Sequence, residues 1–215
     1  MKDLIIIGAG GFAKELLGYI NHDKSKGLLE DINLKGILVD YFEHYKKLNE
    51  PLNYLGKIRE YEIQKNDIFI IAIGENPGRN IIIDYLESQN AKFFSYIHSS
   101  CYVNPSAKFE EGLIMAPFSI INANVKLGKH AFINSFSGIG HDCVVGDRAI
   151  LYPYAAINGN CTIGNNLTMG TKATVFPKTN LGNNCTITSH SYVKSNKGDN
   201  RFIHQKTKEI DLENR

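Results

Sequence analysis

The sequence of 215 residues lacks the features that mark several large classes of protein. Its four cysteines form no Cys-x-x-Cys pair, which argues against a zinc knuckle or a disulfide framework and favours reduced thiols. The apolar run near the start ends after residues 4–7, so we expect neither a signal peptide nor a membrane span, and a cytoplasmic protein. A net charge of +2 does not favour binding to nucleic acid or to an anionic membrane.

A period of six residues organises the second half of the chain. Every sixth residue over 97–193 is apolar without an insertion, which chance would produce on the order of once in a million. Four residues after each apolar position the side chain is mostly small, and all four cysteines fall in this slot as small inward-facing hydrophobes. Glycine or asparagine often follows the apolar position, where we expect a positive φ at a corner. This pattern predicts a parallel β-helix.

The first hundred residues alternate between strand-like and helix-like segments. We predict strands at 4–7, 37–39, 68–73 and 92–96, and helices at about 12–20 and 80–89. This alternation indicates a small parallel α/β domain.

The loop after the first predicted strand is Gly8-Ala9-Gly10-Gly11-Phe12-Ala13, a pattern suited to a turn that holds phosphate at a helix N-terminus. The acidic residue of a dinucleotide site is missing at its usual distance of about 20 residues, and the nearest candidate is Asp40. A nucleotide-sugar is therefore favoured over NAD. A tight turn without a ligand is the alternative.

Four segments carry a more specific likeness: the glycine-rich opening, the Ile-Ala-Ile-Gly-Glu-Asn of 71–76 with Arg79, the Asn-Pro-Ser-Ala of 104–107, and the Ile-Gly-His-Asp-Cys-Val-Val-Gly-Asp of 139–147. Together they resemble the hexapeptide-repeat sugar acetyltransferases, which include the bacillosamine and perosamine N-acetyltransferases and the sialic-acid O-acetyltransferases. The resemblance implies a Rossmann-like nucleotide-sugar domain at 1–96, a left-handed β-helix at 97–193 and a polar tail at 194–215.

Acyl transfer from a thioester needs a base for the acceptor's proton and a donor to the developing oxyanion. His141 is followed by Asp142, whose carboxylate would orient the ring, and the two match the family's catalytic histidine and its supporting acid. The resemblance implies three hexads per coil, which puts Gly159, eighteen residues on, about 4.8 Å above His141. It also assigns the Gly159 N–H to the thioester oxygen. We expect no metal in this chemistry. Four other histidines are expected at the surface: His98, His130, His190 and His204.

The resemblance also implies ligands: acetyl-coenzyme A as donor, a nucleotide-linked amino sugar as acceptor, and a homotrimer with active sites at subunit interfaces. It assigns the nucleotide-sugar to Gly10, Gly11, Phe12, Asp40, Gly74, Asn76 and Arg79. It assigns the coenzyme groove to Gly159, Ile150, Thr171 and Ser189. Ile150 departs from close relatives, which carry a second histidine there. Tyr152 and Tyr154 either line an acceptor pocket or fill a corner.

The leading hypothesis is an acetyl-coenzyme A dependent N-acetyltransferase acting on a nucleotide-linked amino sugar, with a 4-amino sugar expected, in surface glycan synthesis. A sugar O-acetyltransferase shares every motif and is the alternative within the class. A trimeric scaffold without catalytic activity is the alternative from another class.

Overall fold

The computed structural model describes residues 1–205 and begins with an α/β domain on a four-stranded parallel sheet. The elements run β1 (Lys2–Ile7), α1 (Gly11–Ser25), β2 (Ile32–Leu38), α2 (Phe42–Leu48), β3 (Tyr54–Gly56), a 3₁₀ turn (Ile58–Glu60), β4 (Asp67–Ile71) and α3 (Gly78–Ser88). The sheet order is β3-β2-β1-β4. The last four residues of β1 and all of β4 are buried, as expected for central parallel strands covered on both faces.

Two parts of the sequence prediction differ from this domain. Residues 92–96 do not form a full strand: Phe93 makes one parallel bridge to Phe69, and the next paired strand begins at Tyr96. Helix α2 and strand β3 were not predicted. Both are short, at seven and three residues, so neither repeats its hydrophobic pattern often enough to be recognised.

The sheet order places a crevice at the carboxyl ends of β1 and β4. The chain crosses from β1 to β2 on one side and later returns to β4 on the other, which is the switch point where open α/β sheets bind ligands. Gly8 begins the loop there with a φ of +100°, and a Cβ would lie 2.9 Å from Ile73 Cγ1. Only glycine suits this position.

Residues 96–203 form a left-handed parallel β-helix, a triangular prism of two-residue strands. The first face has seven strands: Tyr96–Ile97, Ile114–Met115, Phe132–Ile133, Ile150–Leu151, Thr168–Met169, Thr186–Ile187 and Phe202–Ile203. The second face has six: Tyr102–Val103, Ile120–Ile121, Gly138–Ile139, Ala156–Ile157, Thr174–Val175 and Tyr192–Val193. The third face has five: Lys108–Phe109, Lys126–Leu127, Val144–Val145, Thr162–Ile163 and Asn180–Leu181. The predicted fold class is confirmed.

The strands stack with a register of eighteen residues, for example Ile139 on Ile157. The hexad's apolar positions and the small residues four places later fill one continuous core inside the prism. The glycine that follows an apolar position does not have a positive φ, contrary to expectation; the left-handed residues lie two places further on, as at Asp142 and Asn160. Glycine is needed for close approach instead, because a Cβ on Gly140 would lie 2.6 Å from Gly159 N in the next coil.

The first face of the prism packs against the N-terminal domain. Phe132 and Ile150 share a buried cluster with Leu4 and Leu16, and the Phe12 and Phe132 rings lie 4.3 Å apart. Helix α3 contacts the corner between the third and first faces, where Arg148 pairs with Glu87 at 3.0 Å and with Asp84 at 2.6 Å. The two domains therefore form a joint apolar core with a charged edge.

The β-helix continues past the predicted end at residue 193. The strand Phe202–Ile203 pairs with Thr186–Ile187, and Asn180 N donates to Asn196 Oδ1 at 2.8 Å. In the last coil, paired strands are 16 residues apart rather than 18. The six-residue pattern is therefore interrupted, and the sequence analysis did not recognise this coil. The rest of the predicted polar tail, 206–215, lies outside the described residues. Among residues 1–205, no helix has the length and apolar character needed to cross a membrane.

Candidate active site

A cavity of about 760 Å³ lies in the crevice at the ends of β1 and β4. Five of the seven residues predicted for the nucleotide-sugar line it: Gly10, Gly11, Phe12, Asp40 and Gly74. A Cβ on Gly10 or Gly11 would meet nothing within 4 Å, so the missing side chains leave open space in the cavity. The chain thus keeps room for a ligand at the glycine loop.

The start of α1 gives this cavity an anion-binding wall. Gly10 is the N-cap residue, no side chain caps the helix, and its first turn holds no acidic residue. The first N–H groups of a helix lack intrahelical partners and carry partial positive charge. Gly11 and Phe12 provide such groups, which suit a phosphate oxygen.

Asn76 and Arg79, also predicted to hold the nucleotide-sugar, do not line the cavity. Arg79 is fully buried, and its Nη2 donates to the His130 carbonyl at 2.8 Å. Burial, together with the nearby Arg148, lowers the pKa of Arg79 to about 10. In this structure Arg79 therefore joins α3 to the β-helix, a role that its motif position did not reveal.

Several cavity residues were not assigned to the nucleotide-sugar from the sequence, and Tyr152 was left open between an acceptor pocket and a corner. Tyr41 and His44 come from α2 and the turn before it, while Phe132, Asn134 and Tyr152 come from the β-helix. Tyr152 Oη donates to the Gly74 carbonyl at 2.8 Å, and burial raises its pKa. No local motif marks these residues, and the three from the β-helix reach the cavity through the contact between the two domains.

His141 and Asp142 lie elsewhere, at the corner between the second and third faces. His141 Nδ1 is 2.7 Å from Asp142 Oδ2, and Asp142 also accepts from Asn124 Nδ2 at 2.9 Å. The hydrogen bond from His141, followed by that from Asn124, lowers the pKa of Asp142 and keeps it ionised. An ionised acceptor at Nδ1 holds the proton there, so Nε2 of the neutral ring has a free lone pair.

Gly159 lies in the next coil directly above His141, at the predicted register. A Cβ on Gly159 would lie 2.6 Å from His141 Nε2, so the glycine keeps the reactive nitrogen accessible. Within residues 1–205 the Gly159 N–H has no protein acceptor. The corresponding N–H groups of Lys129 and Asp147, on another corner, donate to side-chain oxygens of the coil above at 2.9 Å.

The cavity and His141 are on opposite sides of the β-helix. The cavity adjoins the first face, whereas His141 lies on the edge between the other two faces. In a triangular prism this edge is the one opposite the first face. One chain therefore does not bring the glycine loop and His141 into a single site.

The residues predicted to bind the coenzyme also lie in different parts of the β-helix. Gly159 lies beside His141, but Thr171 and Ser189 lie one coil apart on the corner between the first and second faces. Ile150 is fully buried in the core between the domains, so it has no surface for a coenzyme. The assignment of Ile150 is therefore not supported.

Two histidines expected at the surface are buried. His98 is 6% exposed and His130 is fully buried, whereas His190 and His204 are exposed as predicted. His130 Nε2 lies 3.1 Å from Glu87 Oε1, and burial lowers the pKa of the ring despite this carboxylate. Their partners come from distant parts of the sequence, so no local pattern indicated burial.

Comparison with known families matches both domains. Residues 3–86 match the PglD N-terminal domain, and residues 124–159 match the bacterial transferase hexapeptide family (six repeats). Both matches agree with the resemblance to hexapeptide-repeat sugar acetyltransferases that the sequence motifs showed.

Its relatives are nucleotide-sugar N-acetyltransferases. It is 26% identical to the GDP-perosamine N-acetyltransferase of Escherichia coli O157:H7 over 150 residues, 69% of this chain and 66% of that one. It is 28% identical to the UDP-N-acetylbacillosamine N-acetyltransferase of Bacillus subtilis (strain 168) over 119 residues, 54% and 51% of the two chains. The chain thus spans between half and two thirds of these relatives.

A solved structure agrees over nearly the whole fold. PerB from Caulobacter crescentus, in complex with CoA and GDP-perosamine, superimposes with a TM-score of 0.76 at 25% identity, covering 93% of this chain and 92% of PerB. These relatives support the expectation of an acyltransferase.

Proposed function

We propose that this protein is an acetyl-coenzyme A dependent N-acetyltransferase that acts on a nucleotide-linked amino sugar, of the 4-amino class, in surface glycan synthesis. The observation that carries the proposal is the arrangement of His141, Asp142 and Gly159, which combines an oriented base with an unpartnered N–H. The nature of the relatives supports the choice of donor and acceptor.

In the proposed reaction the acceptor amine attacks the thioester carbon while His141 Nε2 takes the amine proton. Asp142 holds the ring through Nδ1 and stabilises the imidazolium that forms. Gly159 N–H donates to the oxyanion of the tetrahedral intermediate. Collapse of the intermediate breaks the carbon–sulfur bond and yields the amide and coenzyme A. No metal takes part.

The acceptor's nucleotide is assigned to the cavity beside the glycine loop. Its diphosphate binds at the N–H groups that begin α1, and Asp40, whose Oδ1 accepts from Ile58 N at 3.0 Å, has a second oxygen free for ribose or base. This assignment retains Gly10, Gly11, Phe12 and Gly74. It leaves out Arg79, which is buried elsewhere.

The active form is proposed to be a homotrimer, because one chain separates the cavity from His141. The second face carries exposed apolar side chains, among them Tyr102, Ile120 and Tyr192. The adjoining corner carries a stacked column in which Phe136 lies 5.1 Å from Phe118 and 4.9 Å from Tyr154. A second copy on this apolar edge would cover it and bring a neighbouring cavity toward His141. We also infer a cytoplasmic location, where reduced cysteines and acetyl-coenzyme A coexist.

The test is thiol release from acetyl-coenzyme A with a panel of UDP-, dTDP- and GDP-linked amino sugars. We expect turnover on a 4-amino sugar, and a loss of about 10²–10⁴-fold in kcat for His141→Asn with little change in KM. His204→Asn makes the same change at an exposed histidine outside both sites and should leave kcat unaltered. Activity on sugar hydroxyls alone would favour an O-acetyltransferase. Inactivity on every acceptor, with the same ligand affinities in His141→Asn, would favour a scaffold.

A further inference from the structure

Asn124 donates a hydrogen bond to the carboxylate that orients the proposed base. It lies one coil below Asp142 on the corner between the second and third faces, and its Nδ2 is 2.9 Å from Asp142 Oδ1. The other carboxylate oxygen, Oδ2, lies 2.7 Å from His141 Nδ1. Each oxygen of Asp142 therefore has its own donor, one from the same coil and one from the coil below.

Hydrogen bonds rather than packing must hold this carboxylate in place. The Asp142 side chain is 46% exposed and that of His141 is 59% exposed, so packing alone does not fix either group. The two oxygens of a carboxylate lie in one rigid plane, so a bond that fixes Oδ1 also sets the direction of Oδ2. The amide of Asn124 thereby determines how Asp142 meets the imidazole.

Asn124 is held in turn by the first coil. Its backbone N–H donates to Ser106 Oγ at 2.9 Å, and Ser106 Oγ donates to Asn104 Oδ1 at 2.9 Å. Asn104 Oδ1 also accepts from Ser106 N at 3.0 Å, which closes a tight turn around Pro105. These residues belong to the Asn-Pro-Ser-Ala segment of 104–107, to which neither proposed binding site assigns a role. A continuous series of hydrogen bonds thus leads from this segment to His141.

Backbone conformation explains the asparagine but not the target of its amide. Residue 124 has a φ of +59°, a region where asparagine is favoured. Asn184 has a φ of +56° on another corner, and its Nδ2 also donates to the coil above, to Asn200 Oδ1 at 2.9 Å. That bond joins two neutral amides, whereas the bond from Asn124 ends on a carboxylate. Hydrogen bonds to an ionised acceptor are roughly twice as strong as those between neutral groups.

We propose that Asn124 is a positioning residue for acetyl transfer, which acts through Asp142 to hold the His141 ring with Nε2 toward the acceptor amine. The inference rests on the proposed function. Loss of the amide leaves Asp142 free to turn toward water, and His141 then lacks a fixed partner at Nδ1. A displacement of about 1 Å in a reacting group can cost about a hundredfold in rate.

The experiment is a double-mutant cycle between Asn124 and Asp142, measured by thiol release from acetyl-coenzyme A. Asn124→Ala should lower kcat at least about tenfold and leave the KM for both substrates nearly unchanged. In an Asp142→Ala background the same change should have no further effect, because no carboxylate remains for Asn124 to hold. The matched control is Asn184→Ala, which removes the equivalent hydrogen bond at a left-handed position on another corner and should leave kcat unaltered.

A second variant separates the donor from the shape of the side chain. Asn124→Asp keeps the size of the residue and its tolerance of a positive φ, but it replaces the donor by an acceptor. It should lower kcat at least as much as Asn124→Ala does. Because residue 124 is exposed, both variants should fold normally, which circular dichroism checks.

A readout without turnover distinguishes this inference from the proposed function. In ¹⁵N NMR spectra, with the His141 signals identified by their absence from His141→Ala, the wild-type ring should carry its proton on Nδ1. Asn124→Ala should show a mixture of both tautomers at His141. A wild-type chain that is inactive on every acceptor would refute the proposed function, and the tautomer comparison would still test the role of Asn124.

Three results would overturn the proposal. One is a kcat within about twofold of wild type in Asn124→Ala. Another is an equal loss of kcat in the wild-type and Asp142→Ala backgrounds, which would show that Asn124 does not act through Asp142. The third is a His141 ring that keeps its proton on Nδ1 in Asn124→Ala as completely as in the wild type.

Discussion

Mixing two inactive variants tests whether the active site is shared between subunits. His141→Ala removes the base and leaves the cavity intact. Gly10→Glu fills the cavity with a carboxylate at the start of α1, where a Cβ meets nothing within 4 Å, and leaves His141 intact. Each variant alone should form an inactive trimer.

Coexpression with two different affinity tags, followed by purification on both, yields trimers that contain both variants. In a cyclic trimer each site takes His141 from one chain and the cavity from its neighbour. A trimer with two copies of one variant and one of the other then has one intact site among three. We expect about a third of the wild-type kcat per trimer, measured by thiol release.

The refuting result is a mixed trimer as inactive as its parents. Every chain in it carries one defect, so a site built within a single chain could never be intact. Light scattering on the same sample must show three chains per particle, since a monomer or dimer would refute the trimer itself.

Three further substitutions separate catalytic from structural roles. Gly159→Ala places a Cβ 2.6 Å from His141 Nε2 and should lower kcat at least about tenfold. The Tm should not change, because the His141 side chain is exposed and can move. The control is Gly18→Ala, whose Cβ lies in open space on α1 and should leave kcat unchanged. Gly140→Ala places its Cβ against backbone, so thermal unfolding should show a Tm several degrees lower. Arg79→Met should leave the KM for the nucleotide-sugar unchanged. It should alter the free energy of unfolding by less than about 2 kcal/mol, because a buried guanidinium with two unpartnered nitrogens is itself costly. A large rise in KM would instead support the substrate-binding role predicted for Arg79.

The sequence was most informative where structure depends on local repetition. The resemblance supplied a coil of three hexads, and counting eighteen residues then placed Gly159 over His141, as the structure has it. The neighbouring Asp142 was visible as the partner of that histidine. The glycine loop was equally local, since a strand, a turn and a helix start follow one another in the chain.

Contacts between segments that are distant in the sequence could not be predicted from it. Arg79 has the motif position of a ligand-binding residue, but the docking of α3 onto the β-helix turns it toward the His130 carbonyl. His98 is buried because α1 places Asp23 beside it, 75 residues away in sequence. The burial and the partners of such side chains depend on which surfaces of the fold pack together. No local pattern in a single sequence shows that packing.

The free N–H of Gly159 follows from a break in a side-chain ladder. On the corner between the third and first faces, Asp147, Asn165 and Asn183 each accept a backbone N–H from the coil below, at 2.8–2.9 Å. At the corner of His141 the residue one coil above Gly159 is Pro177, which has no side-chain acceptor. Replacing Pro177 by Asn would extend a ladder to this corner, so we expect a more stable coil and a lower kcat. A Pro177→Asn variant with undiminished kcat would show that the Gly159 N–H has no part in the reaction.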